Sequence, residues 1–237
     1  MGEHTVSAFD AELEKIDRLI LDMGDLAARM VSEATAALLR AEEGRALGVI
    51  AEDAAMDAFQ RDLDERVITV IAKRQPVAQD LRAVIGALRM GNDLERIGDL
   101  AKNVAKRVSA VGRAPVAGGL AASIEAMSAL VLGQVNAVVE HYVARDAAAL
   151  EALRVEDEKI DIRYTAIFRE LLTYMMEDPR VITTCTHLLF CAKNLERIGD
   201  HVTNIAENAY YVTTGLQLPA KRPKRDETSP LQPAPAA

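Results

Sequence analysis

Apolar residues recur at intervals of three and four along most of the chain, the period of one face of an α-helix. Leu13, Ile16, Leu19, Ile20, Met23, Leu26, Ala27 and Met30 trace such a face and predict a first helix over residues 8–40. Gly44 and Gly48 are expected to mark its end. A second helix is expected over 49–74, stopping ahead of Pro76 because proline disfavours helical conformation in its predecessor. Pro76 suits the first turn of a third helix, where its missing N–H costs nothing, and that helix is expected to reach residue 110. A fourth helix follows over 120–144 and a fifth over 146–177. Asp178-Pro179 then turns the chain into a sixth that runs to 214. No segment alternates apolar and polar residues as a half-buried strand does.

The breaker cluster Gly112-Arg113-Ala114-Pro115-Val116-Ala117-Gly118-Gly119 divides these helices three and three. The expected organisation is all-α, with two tandem, pseudo-symmetric three-helix bundles over residues 1–112 and 113–216. From 217 to 237 the chain is polar and proline-rich, with Pro219, Pro223, Pro230, Pro233 and Pro235. Such a segment buries too little to offset its ordering entropy and is expected to be a disordered tail. Its basic run Lys221-Arg222-Pro223-Lys224-Arg225 reads as a solubilising patch.

Composition agrees with helices. Half of the 237 residues are hydrophobic, only 4% are aromatic, and the bulk is Ala, Leu, Val and Ile. The net charge of −8 leaves no overall basic footprint for nucleic acid. Residues 118–139 are the most membrane-like, but Glu125, Gln134 and Asn136 interrupt them, and a buried bundle helix is expected there. The first residues carry Glu3, Asp10, Glu12 and Glu14 rather than a basic start and an apolar run, so no signal peptide is expected. Cys185 and Cys191, six residues apart, fit neither a CxxC metal site nor a disulfide framework. They read as small buried hydrophobes in a reducing, cytosolic compartment.

An internal repeat carries the candidate chemistry. Leu94-Glu95-Arg96-Ile97-Gly98-Asp99 returns 101 residues later as Leu195-Glu196-Arg197-Ile198-Gly199-Asp200, and Asn103 returns as Asn204 at the same offset. Upstream, Asp53 and Asp57 are matched by Asp157 and Asp161. Residues four apart on a helix share a face, with Cβ atoms about 6 Å apart. Glu95 and Asp99 therefore form a row that Asn103 extends, and Glu196, Asp200 and Asn204 form another. Leu94, Ile97, Ala101, Val104 and Val108 make the apolar stripe of the third helix; Cys191, Leu195, Ile198, Val202, Ile205 and Ala209 make that of the sixth. The acidic rows lie opposite these stripes and are expected to project from an outer or concave face, with Arg96 and Arg197 in a different sector. Like charges one turn apart repel, so a cation is a natural partner. Carboxylate oxygens suit Mg²⁺, Mn²⁺ or Fe, and Zn²⁺ is possible. A plain solvated acidic face fits the same pattern.

The glycine three residues after each glutamate stands where di-iron bundles place a histidine, which argues against oxygen-activating chemistry. Gly98 and Gly199 are expected instead to allow close approach of a neighbour. Arg96 and Arg197 are expected to pair with acids, and His201 reads as a partly exposed helical residue rather than a ligand. There is no GxxxxGK[ST] loop, no GxGxxG after a strand and no HExxH, and no nucleophile has an obvious base.

Ile71-Ala72-Lys73-Arg74-Gln75-Pro76 followed by Asp80-Leu81-Arg82, the Leu94–Asp99 segment, Thr173-Tyr174-Met175-Met176-Glu177-Asp178, and Leu189-Phe190-Cys191-Ala192 leading into Leu195–Asp200 together resemble the PhoU family. The resemblance spans residues 8–214. It implies a cytoplasmic, commonly dimeric protein of two similar three-helix bundles that is not an enzyme. It further implies a negative regulator of the phosphate-starvation response in phosphate homeostasis, coupling the ATPase of a Pst-type phosphate ABC transporter to a PhoR-type histidine kinase. Such a protein meets the membrane through its partners only. Family members bind metal through E/DxxxD motifs, which by position are Asp53/Asp57, Glu95/Asp99, Asp157/Asp161 and Glu196/Asp200. Asn103, Asn204, Arg96 and Arg197 would support those ligands. The alternative is a metal-dependent enzyme or a metal-storage bundle.

Overall fold

The computed structural model describes residues 2–112, 116 and 118–219, with side chains from Phe9 onward. The helices are α1 (Gly2–Arg40), α2 (Glu43–Arg74), α3 (Ala78–Ala105), a short α4 (Val108–Val111), α5 (Gly118–Ala144), α6 (Ala147–Glu156), α7 (Glu158–Glu177) and α8 (Ile182–Thr214). A 3-10 turn, Pro179–Val181, joins α7 to α8. No strand occurs among the described residues. The fold is two three-helix bundles, α1–α2–α3 and α5–(α6/α7)–α8.

The expected boundaries shift at four places. Gly44 and Gly48 lie inside α2 rather than in a connection, because the turn after α1 is made by Ala41 in left-handed conformation (φ 56°). Pro76 precedes α3, which starts two residues later behind Val77. The third helix breaks at Lys106-Arg107 before α4. The fifth expected helix is interrupted at Asp157, where the Ile160 N–H donates to the Asp157 carbonyl at 2.9 Å, a tighter turn than the α-helix uses. The disorder expected of 217–237 falls outside the described residues from 220 onward, as does the basic run; residues 217–219 have no regular structure.

Helix ends follow local chemistry. Asp146 accepts a hydrogen bond from the Ala149 N–H at 3.0 Å and starts α6, and Asp178 accepts from the Arg180 N–H at 3.0 Å. Gln75 closes α2 with a left-handed residue whose N–H bonds back to the Ile71 carbonyl.

The apolar stripes read from the sequence are the core. Leu94, Ile97, Ala101, Val104 and Val108, and Cys191, Leu195, Ile198, Val202, Ile205 and Ala209, are all at most 2% exposed. Burying a large aliphatic side chain contributes about 1.5–3 kcal/mol, so these stripes dominate the stability of each bundle. One continuous apolar cluster runs through both bundles. Helix α5 is long and apolar enough by length and composition to cross a membrane. In the fold it packs against α1, α6, α7 and α8 and buries Ile124, Met127, Val131, Val135, Val138 and Tyr142.

The bundles join through counterpart helices. α1 runs antiparallel to α5: Thr35 accepts from Ser128 at 3.0 Å, and Asp17 accepts from Tyr142. α3 runs antiparallel to α8, with Gly86 against Val212, Asp93 against His201 and Arg107 over the Phe190 ring. Each junction thus pairs an element with its own repeat, a pseudo-twofold arrangement. α2 and α6/α7 remain as outer helices, and the acidic motifs lie where each meets α3 or α8.

Candidate functional site

At the first bundle, α2 supplies Asp53 and Asp57 and α3 supplies Glu95 and Asp99. Lys102, one turn beyond Asp99, reaches between the helices. Its Nζ lies 2.7 Å from Asp53 Oδ2 and 2.6 Å from Asp99 Oδ1. Arg96 lies 3.3 Å from Asp99 Oδ2 and 3.5 Å from Glu95 Oε2. The expectation that Arg96 points into another sector is thereby corrected: its stem is long enough to curl back along the helix. The face is half open. Asp53, Glu95 and Asp99 keep between a fifth and a third of their side-chain surface, while Asp57 is exposed.

The charges sort accordingly. Burial, then the neighbouring Asp99 charge, raises the Glu95 carboxyl above the usual carboxylate range. Burial also pushes Asp99 upward, but the hydrogen bond and charge of Lys102, with Arg96, outweigh it and hold Asp99 below its ordinary value. For Lys102, burial works against the charge, and the bonds to Asp53 and Asp99 more than reverse it.

The second bundle departs from the outward-facing expectation. Asp157, Asp161 and Glu196 are 1%, 2% and 3% exposed. The helical-wheel reading assumed that the side of α8 opposite its apolar stripe faces out. That side is covered, because α8 packs against α3, α5, α6 and α7 together. Gly199 makes the close approach possible: a Cβ there would lie 2.6 Å from Asp157 Oδ1 and 3.0 Å from Ile160 Cδ1. Gly98 does the same for the Met56 tip, which a Cβ would meet at 3.3 Å. Both glycines therefore have the packing role expected of them. Lys193 Nζ lies 2.9 Å from Glu196 Oε2. Burial raises the Glu196 carboxyl, Lys193 opposes that, and the charges of Asp200 and Asp161 add to it.

The structure therefore brings together all four acidic pairs, in two groups. Asn103 and Arg197 are exposed. Asn204 donates to Asp93 of α3 at 3.4 Å. His201 is half-buried and pairs with the same Asp93 at 2.8 Å, tying the two bundles. Cys185 and Cys191 are buried free thiols, and burial pushes Cys191 up to about 12.

Sequence reasoning missed Lys102, Lys193 and Asp93. The two lysines had a readable signal, since each stands three residues from an acid on the same helical face. Asp93 had none, because its partners are more than a hundred residues away.

The residues present fit a hard cation. Their donors are carboxylates contributed by facing helices. The Lys102 ammonium already stands between Asp53 and Asp99, showing that positive charge is accommodated there. Among the described residues, no three His, Cys, Asp or Glu side chains converge as placed in a metal-holding group. Metal at either face would therefore require its carboxylates to rearrange.

Two bundles joined by counterpart helices, each with paired carboxylates where its outer helix meets α3 or α8, half open in the first bundle and buried in the second, define the class of helical protein. The family model for the PhoU domain matches twice, over residues 20–108 and 124–209. The phosphate-specific transport system accessory protein PhoU homolog of Rhizobium meliloti (strain 1021) is 51% identical over 96% of this chain and 96% of its own length. The crystal structure of PhoU from Pseudomonas aeruginosa superposes with a TM-score of 0.83 at 35% identity, covering 88% of this chain and 100% of that one. That of the phosphate transport system regulatory protein PhoU from Streptococcus pneumoniae gives 0.82 at 28% identity, covering 89% and 99%. The chain belongs to the PhoU family.

Proposed function

We propose that this chain is a non-enzymatic accessory regulator of phosphate-specific transport, acting in the cytoplasm as a homodimer. It would couple the state of a Pst-type transporter ATPase to a PhoR-type histidine kinase and repress the phosphate-starvation response when phosphate is plentiful. The observation that carries this reading is the match over nearly the whole length of a phosphate-specific transport system accessory protein homolog.

Metal belongs to the same proposal. Asp53, Asp57, Glu95 and Asp99 would hold it at the first face, and Asp157, Asp161, Glu196 and Asp200 at the second. A cation of the Mg²⁺, Mn²⁺, Fe or Zn²⁺ type would supply positive charge to offset these carboxylates. The chain's own residues set the rest: the glycines admit the neighbouring helix, and the outer helices carry half of each donor set.

A deletion strain is expected to express phosphate-scavenging genes in high phosphate, and normal repression there would remove the regulatory reading. Metal content of purified Glu95→Ala/Asp99→Ala and Glu196→Ala/Asp200→Ala proteins is expected to fall below wild type. Wild-type content in both would remove the metal assignment.

A further inference from the structure

We propose that Lys102 is a built-in competitor for metal at the first acidic face. Its ammonium ties Asp53 to Asp99 and must be displaced for a cation to bind between them. This rests on the metal reading above and adds to it a residue that no E/DxxxD motif contains.

The contacts carry the argument. The ammonium lies 2.7 Å from an oxygen on α2 and 2.6 Å from one on α3, so it spans the two helices whose carboxylates would share a metal. An ammonium and a metal ion draw on the same carboxylate lone pairs and cannot both occupy the gap. Lysine suits displacement, since its point charge sits on a flexible four-carbon stem and binds with no fixed fork geometry. Arg96, also on this face, contacts Asp99 and Glu95 from its own helix and does not reach α2. Lys102 is thus the cation here that bridges the helices.

The repeat shows that the lysine is not a requirement of the fold. At the 101-residue offset, Lys102 becomes Thr203, a buried residue whose hydroxyl donates to the Gly199 carbonyl at 3.2 Å. Thr203 brings no charge to its acidic face. The same helix–helix junction is built in the second bundle without a lysine at this position.

The test is a Mn²⁺ titration of the full chain by equilibrium dialysis with elemental analysis, run beside thermal melting with and without Mn²⁺. A Glu196→Ala/Asp200→Ala background removes the second face. Lys102→Met and Lys102→Gln are compared with Lys102 in that background, after circular dichroism shows equal helix content; Lys102→Gln keeps length and polarity should Lys102→Met fold poorly. Both variants are expected to bind Mn²⁺ about three- to tenfold more tightly, the size of losing partly exposed ion pairs. Both are also expected to melt at lower temperature without metal and to gain more from Mn²⁺ than the parent. Mn²⁺ uptake that is unchanged or weaker in both variants would overturn the role of Lys102 and leave the metal reading standing. No uptake by any of the proteins, wild type included, would overturn both.

Discussion

Asp157 lies directly against Gly199: a Cβ on residue 199 would stand 2.6 Å from its Oδ1. The same atom would stand 3.0 Å from Ile160 Cδ1, so both the acid and the core behind it press on one bare stretch of α8. At the equivalent Gly98 the neighbours are Cε and Cγ of Met56 and Sδ of Met30 at 3.3–3.5 Å, on flexible thioether side chains that can yield.

The two glycines are therefore expected to respond differently to the same substitution. Alanine returns about 1 kcal/mol of helix propensity at either site. At Gly199 that gain is offset by overpacking of about 1–3 kcal/mol against a short buried side chain. Gly199→Ala is expected to lower the urea midpoint and to lower second-face metal content, whereas Gly98→Ala should stay within about 1 kcal/mol of wild type. Equal effects in urea unfolding would contradict the difference in packing.

Tyr142 couples the bundles through Asp17. The ring of Tyr142 is 1% exposed, its hydroxyl donates to Asp17 of α1, and Arg145 lies 3.4 Å from the other Asp17 oxygen. Burial, then the Asp17 charge, pushes the Tyr142 hydroxyl far above its ordinary pKa, so it stays protonated as a donor. Tyr142→Phe preserves the ring and removes only that bond. It is expected to cost about 1–3 kcal/mol in denaturant unfolding, the range for leaving a charged acceptor short of one partner. An unchanged midpoint would show that Arg145 or water replaces the hydroxyl at no cost.

Glu196 sets a pH dependence on the metal-free protein. Its folded pKa is raised, chiefly by burial, so between 4.5 and the folded value the native state binds more protons than the unfolded state. Its contribution is fully present below 4.5 and is lost as pH rises through the folded value. In chelator, wild-type stability is expected to fall over that window, and Glu196→Gln should flatten the fall, because an uncharged isostere has no proton to lose. Asp99 acts in the opposite sense: its folded pKa is lowered, so its contribution is present above 3.8 and lost as pH falls through the folded value. A pH series of urea midpoints for the two chains checks the sign. A wild type that grows more stable between pH 4.5 and 7 while Glu196→Gln does not would refute the assignment.

Much of this was legible along the chain because it depends on short-range periodicity. The apolar stripes from Leu94 to Val108 and from Cys191 to Ala209 become buried stripes as written, since a helix presents one face every 3.6 residues wherever it packs. Gly98 and Gly199 read as points of close approach, since glycine inside a helix is costly without one. The acidic pairs could also be found, because both halves carry them at related positions.

What sequence alone determined, then, is an all-helical chain of two related halves with paired carboxylates in each. Tertiary packing decided what those carboxylates face. Asp157, Asp161 and Glu196 are buried because the outer helix comes down on α8 at Gly199, with Asp157 and Ile160 pressed onto it, and a helical wheel does not show which neighbour covers a face. The first stays half open because α2 leaves its edge exposed, and Lys102 fills the gap because its stem reaches Asp53, a residue 49 positions away on another helix. Charge along one helix is a property of spacing. Its burial and its counter-ion depend on which other helices come to rest beside it.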